Sequence, residues 1–303
     1  MGALPMCGIV GLYLKDTKLE PQLGSLTSEM LATMCERGPD SAGFAVYGAA
    51  VEGELKITVQ SADPAADFPA LAMAVEAEYG RPVRIDERAT HAVVHVPADA
   101  LGTVKNVVSQ HCPTIRIMGI GEAIEIYKEV GLPTAVASRF ALSEMSGTHA
   151  IGHTRMATES AVTTSGAHPF STGLDQCLVH NGSLSNHHNL RRVLHREGMS
   201  FQTDNDSEVA AGYLSWRMQQ GLNLQQALEK SLDDLDGFFT FVVGTKTGFA
   251  VLRDPIACKP AVLAETDSYV AFGSEYRALA GLPGIEDAKV WEPEPATVYF
   301  WGR

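Results

Sequence analysis

Cys7 lies near the start of a 303-residue chain, directly after Met6. A cysteine that becomes the first residue of a mature chain can act as a nucleophile without a histidine partner. Its own α-amino group, with a pKa of about 8, can serve as general base through a water molecule. This chemistry requires residues 1–6 to be absent, either because translation starts at Met6 and that methionine is trimmed, or because a six-residue leader is removed. The alternative is a small buried cysteine in an edge strand. The other cysteines, Cys35, Cys112, Cys177 and Cys258, show no Cys-x-x-Cys spacing, and five is an odd number, so neither a disulfide framework nor a zinc ribbon is expected. His149 and His153 are four apart and His187 adjoins His188, but no carboxylate or cysteine completes a ligand set at a recognised spacing, and no metal is expected. The glycines of 118–121 (MGIG) are too few for a phosphate cradle or a dinucleotide fingerprint.

The elements that would position such a nucleophile need a large core, and 45% apolar residues supply one, while 19% charged residues are too few for a disordered chain. A net charge of −13 repels phosphate backbones and argues against nucleic-acid binding. The apolar runs all break before about 18–20 residues, and the first six residues are too short and uncharged for a signal peptide, so a cytoplasmic protein is expected.

Along the chain, 7–14 reads as a buried strand, 27–36 as a helix, 37–43 as a loop, and 44–47 and 55–60 as strands. From about 63 to 145 the pattern changes. Helices at 68–79 and 98–110, a strand at 89–96 and one or two strands in 114–127 suggest an inserted α/β segment. Strands follow at 150–156 and 176–180, with helices from Ser185 or Asn186 to 197, at 207–219, and from Asn223, where Gln226 completes a capping-box pair. Five short apolar runs at 238–244, 249–253, 261–265, 269–273 and 296–301 read as antiparallel strands. Strand-rich ends with helices between them suggest an α+β fold of two sheets covered by helices.

Six motifs occur in order: MCGIVGLY, RGPDSAG, GHTRMAT, AHPF, LVHNGSLSN and NDSEV. Together they resemble the class II glutamine amidotransferases of the N-terminal-nucleophile hydrolase superfamily, over about 7–47 and 150–302. The resemblance implies a four-layer αββα sandwich of two antiparallel sheets, and a glutaminase acting on L-glutamine through Cys7. Arg155 would bind the substrate α-carboxylate, which a guanidinium engages through a two-pronged fork that lysine lacks; a structural ion pair is the alternative. Asn181 and Gly182 would form the oxyanion hole, although Asn-Gly between apolar residues is also a hairpin-turn signal. Asp206 would receive the substrate α-ammonium, or cap a helix, or both. Thr158 and His168 would line the pocket, although Ala157-Thr158-Glu159-Ser160 departs from the Ala-Thr-His-Gly of many members. Arg37, Asp40 and Gly43 would form a supporting loop beside the nucleophile.

Such glutaminase domains deliver ammonia to a synthase domain, and the sequence leaves no room for one after the last expected strand. A separate partner chain is therefore expected, with an ammonia tunnel completed in the complex. The runs GHTRMATESAVTT and RDPIACKPAVLAETDSYVAFGSEYRAL are similar to those of stand-alone amidotransferase subunits of glutamate-synthase-like enzymes, the A subunit of N-methylglutamate synthase above all. That similarity implies no cofactor in this chain, a flavin in a partner subunit, and a role in methylamine or glutamate metabolism. Two other readings stay open: an N-terminal-nucleophile amidase for another amide, and a non-catalytic regulatory subunit. The inserted segment is expected to dock the partner.

Overall fold

The computed structural model describes residues 6–156 and 161–302. The chain opens with β1 (Gly8–Leu14), α1 (Leu23–Ala32) and β2 (Ser41–Tyr47). It continues through β3 (Glu54–Gln60), α2 (Pro64–Tyr79), β4 (Arg84–Arg88), β5 (His91–Pro97), α3 (Leu101–His111) and β6 (Arg116–Gly121). Next come β7 (Ile124–Val130), α4 (Pro133–Arg139), β8 (His149–Arg155), β9 (Phe170–Gly173) and β10 (Gln176–Leu184). Three helices follow, α5 (His187–Arg196), α6 (Asp206–Gln219) and α7 (Leu224–Asp234). The remaining strands are β11 (Gly237–Thr245), β12 (Gly248–Arg253), β13 (Val262–Glu265), β14 (Tyr269–Gly273), β15 (Lys289–Trp291) and β16 (Thr297–Gly302).

Two antiparallel sheets form the centre. The larger has the order β15-β13-β14-β1-β8-β2-β7 and the smaller β16-β12-β11-β10-β9. Strand alternation explains why β1 is buried throughout. Val10, Leu12 and Leu14 face a core shared with Leu26, Met30 and Leu31 of α1 and Val136 of α4. Ile9 and Tyr13 face the other way, into a core between the sheets with Val179, Val242, Phe249 and Val251. The far side of the smaller sheet packs on α5, α6 and α7 through Leu194, Val209, Tyr213 and Leu228. The layers are therefore helix, sheet, sheet, helix, as the family resemblance implied. The Asn223–Gln226 capping box opens α7.

Several expectations shift. The separate α/β unit spans β3 to β6, with its own sheet in the order β4-β5-β3-β6 covered by α2 and α3, not 63–145. β3 belongs to it because Leu55, Ile57 and Val59 pack into its core. On the opposite face of the same strand, the Lys56 ammonium meets Glu125 of β7 at 2.9 Å, and Thr58 Oγ1 accepts from the Ile126 amide at 3.3 Å. β7 and α4 belong to the main sandwich. The first helix ends at Ala32 rather than 36, because 33–38 turns back on itself, with the Arg37 amide donating to the Met34 carbonyl at 3.0 Å. The strand expected at 89–96 begins only after a hairpin at Ala89, whose φ is +52°. The five C-terminal runs do not share one sheet: β11, β12 and β16 join the smaller, β13 and β14 the larger. Periodicity reports which residues face inward, not which strand lies alongside.

Candidate active site

Cys7 is half-buried at the mouth of β1, where Gly8 pairs with Thr154 of β8. Its thiol approaches the Met156 carbonyl at 3.8 Å. Its backbone carbonyl accepts from Arg37 Nε at 3.3 Å and from Asn181 Nδ2 at 3.1 Å. Arg37 lies on the larger-sheet side and Asn181 on β10 of the smaller sheet, so both sheets grip the same residue. Arg37 is in turn paired with Glu275, which also holds Arg277 at 2.6 Å. Ser274 accepts from the Ile9 amide at 2.9 Å. This support from Ser274 and Glu275 was missed in the sequence, because nothing near those residues marks them as neighbours of Cys7.

Asn181-Gly182 is not a turn. β10 runs through it to Leu184, paired with β11 from Cys177↔Gly244 to Leu184↔Gly237. Gly182 has a φ of +153°, and a Cβ there would lie 2.0 Å from the Phe238 carbonyl, so only glycine fits. The Asn181 amide carries two N–H donors, and the Cys7 carbonyl takes one of them.

Asp206 is the first residue of α6, and the cap is Asn205, whose side chain accepts from the Ser207 amide at 2.9 Å. The sequence left cap and ligand roles open for Asp206; the neighbouring asparagine fills the first. One Asp206 carboxylate oxygen accepts from the Leu184 amide at 2.9 Å, which fastens the helix start to the end of β10. The other lies 3.3 Å from the Ser207 hydroxyl, which also meets His180 Nδ1 at 2.9 Å. Arg191 reaches from α5 to the Thr203 and Asn205 carbonyls and steadies the approach to α6.

Arg155 ends β8, is buried, and donates through Nη1 to the Ala161 carbonyl at 3.3 Å. Thr158 lies outside the described residues. The Asp40 amide donates to the Arg155 carbonyl at 3.1 Å, which places the Arg37–Asp40 loop behind the arginine. Gly43 serves a close approach: a Cβ there would lie 2.2 Å from the His168 carbonyl and 2.4 Å from Lys128 Cβ. Arg37, Asp40 and Gly43 thus converge around Cys7, Arg155 and His168. Lys128, which the sequence reading passed over, is buried against the loop carrying His168, and burial draws its pKa down to about 7.

Three buried histidines lie behind this site. His153 and His168 stack with ring centroids 4.0 Å apart, and His153 Nε2 meets the His180 carbonyl at 3.1 Å. Burial lowers the pKa of His153 to about 3, pushes His168 well below the ordinary imidazole range, and lowers His180 against the pull of Asp206. All three are neutral at pH 7. Among the described residues, no group of three or more histidines, cysteines or carboxylates is placed to hold a metal ion.

The site region holds the Cys7 thiol, the Asn181 side-chain amide bonded to the Cys7 carbonyl, the buried Arg155 guanidinium and the Asp206 carboxylate at the start of α6. The glutamine amidotransferase domain family matches residues 153–281. The chain is 67% identical over 296 residues to the glutamine amidotransferase-like protein GlxB of Rhizobium meliloti (strain 1021), covering 98% of both chains. It is 34% identical over 309 residues to a Methanothermobacter thermautotrophicus protein also named as a glutamine amidotransferase, covering 97% of this chain and 99% of that one. In fold it is similar to the glutamine phosphoribosylpyrophosphate amidotransferase of B. subtilis, with a TM-score of 0.62 at 20% identity. That match covers 98% of this chain, which spans 47% of the solved chain. The sequence relationship and the shared sandwich together establish that this chain belongs to the class II glutamine amidotransferases.

Proposed function

We propose that this chain hydrolyses the side-chain amide of L-glutamine through Cys7 and passes the ammonia to a partner synthase subunit. The observation that supports the reading is the bond from Asn181 Nδ2 to the Cys7 carbonyl, which keeps the Asn181 side chain next to Cys7. In the active form Cys7 is the first residue, and its α-amine takes the thiol proton through water. The thiolate sulfur attacks the amide carbon. The carbonyl oxygen becomes an oxyanion held by the second Asn181 N–H and the Gly182 N–H. Collapse expels ammonia, which leaves with the proton from the amine, and yields a thioester. Water then attacks the thioester, and glutamate leaves.

Arg155 receives the substrate α-carboxylate and Asp206 the α-ammonium, while Thr158 and His168 line the pocket. This pair selects a free amino acid over other amides. The partner is a synthase of the N-methylglutamate or glutamate-synthase type, and a flavin belongs to that partner. Support comes from the sequence runs around GHTRMATESAVTT and RDPIACKPAVLAETDSYVAFGSEYRAL. The unit built from β3 to β6 is the docking element for the partner. Among the described residues, no helix is long and apolar enough to cross a membrane.

The test is ammonia release from glutamine, asparagine and a glutamine dipeptide by wild type and Cys7→Ala. Release from glutamine alone, abolished by the substitution, supports the reading. Equal release from the dipeptide favours a different amidase. Lack of release from a chain shown to begin at Cys7, alone and with its partner, contradicts a catalytic role.

A further inference from the structure

Lys128 is a charged residue buried in β7 with only 4% of its surface exposed, and the chemistry above gives it no task. Its ammonium donates to three main-chain carbonyls of one loop: Ser165 at 3.3 Å, Ala167 at 2.8 Å and Pro169 at 3.1 Å. In its protonated form the lysine has three N–H donors, one for each of these carbonyls. The Phe170 ring lies 4.5 Å from the same nitrogen. The next residue, Glu129, accepts from the Thr164 hydroxyl at 2.5 Å and from Thr90 of the separate α/β unit at 2.8 Å. The loop is therefore pinned to β7 at 164, 165, 167 and 169.

The other end of this loop holds Arg155. Arg155 Nη1 donates to the Ala161 carbonyl at 3.3 Å and lies 3.6 Å from where a Cβ on Gly166 would stand. The guanidinium therefore rests against the segment that Lys128 fastens. An apolar side chain in place of Lys128 would leave three carbonyls without their donor, and the loop would lose its seat against β7.

We propose that Lys128 is a positioning residue for glutamine binding, holding loop 161–169 so that Arg155 is aimed at the substrate α-carboxylate. The inference rests on the proposed role of Arg155. It connects β7, and through Glu129 and Thr90 the separate α/β unit, to the site of substrate capture. Positioning should alter substrate affinity and spare the chemical step, since the Lys128 ammonium bonds to the loop carbonyls and not to Cys7, Asn181 or Gly182. A purely structural lysine would lower the amount of folded protein and leave the KM of the folded fraction unchanged.

The experiment compares wild type with Lys128→Met, which keeps an unbranched stem, and with Thr164→Val, a milder change that removes one loop tie. Steady-state glutamine hydrolysis and amide hydrogen exchange are measured on each. The expected result for Lys128→Met is a KM raised about tenfold or more with kcat within about threefold, as for lost substrate binding. Amides of 161–169 should exchange faster while those of β1 and β8 do not. Thr164→Val should shift both readouts the same way by a smaller factor. Unchanged KM and unchanged loop exchange in the folded variants overturn the proposal; if Lys128→Met does not fold, Thr164→Val decides it. A wild type that fails to hydrolyse glutamine contradicts the function proposed above, while the exchange data still show whether Lys128 holds the loop.

Discussion

The Asn181 side-chain amide donates to the Cys7 backbone carbonyl at 3.1 Å, from β10 of one sheet to the mouth of β1 in the other. The two residues are 174 positions apart in sequence. Only the face-to-face packing of the sheets brings them together, so Cys7 and Asn181 are positioned by the core between them.

If Asn181 is the oxyanion donor proposed above, replacing it with alanine should lower kcat for glutamine hydrolysis by about 10²–10³. KM should change little, because the donor acts where charge develops. Steady-state kinetics check this; a rise in KM with kcat preserved would place Asn181 in ground-state binding instead.

Arg155→Lys keeps the charge and loses the planar fork. Charge-assisted hydrogen bonds contribute about 1.5–3 kcal/mol, so KM for glutamine should rise by about 10–100-fold. Asp206→Asn should act in the same direction from the opposite end of the substrate. Wild-type KM values in both variants would remove these residues from the binding pocket.

The two ends of the chain's chemistry differ in how readily the sequence reveals them. Cys7, Arg155, Asn181, Gly182 and Asp206 sit in short local motifs, and the motif order identified them together. Ser274, Glu275 and Lys128 act through contacts made across the fold, with no local signature. Asn205 was legible as a cap in type but lost to its neighbour, because Asn-Asp at a helix start permits either assignment. β1 is buried along its whole length, and its strand identity was legible as a short continuous apolar run rather than as alternation. Sheet membership was not: β13 and β14 carry the same apolar pattern as β11 and β12 and pair elsewhere. The boundary of the α/β unit was missed because β3 looks like any buried strand until its partners, β5 and β6, are known.

Gly43→Ala should destabilise the protein by about 1–3 kcal/mol, the usual cost of overpacking. The added methyl would press on the His168 carbonyl and the Lys128 stem. A lower urea midpoint is expected; an unchanged one would mean the loop can retreat at no cost.

Stability should also fall in mild acid. Burial holds His91 and His153 at about 3, against 6.5 for the ordinary group. Below pH 6.5 the unfolded chain takes up protons that the native imidazoles refuse. The stabilisation is full above that pH and declines as pH falls toward 3. Each of the two should account for a loss of about 2 kcal/mol at pH 5. Urea unfolding at pH 7.5 and pH 5 tests this, and equal midpoints would contradict neutral buried histidines.

The central claim is that Cys7 is an N-terminal nucleophile, and the most direct measurement is the intact mass and peptide map of the active protein after treatment with an electrophilic glutamine analogue. The account predicts a chain beginning at Cys7 that carries one equivalent of label on the Cys7 thiol, with glutaminase activity lost in step. A fully active chain that retains residues 1–6, or label on another residue accompanied by loss of activity, would contradict it.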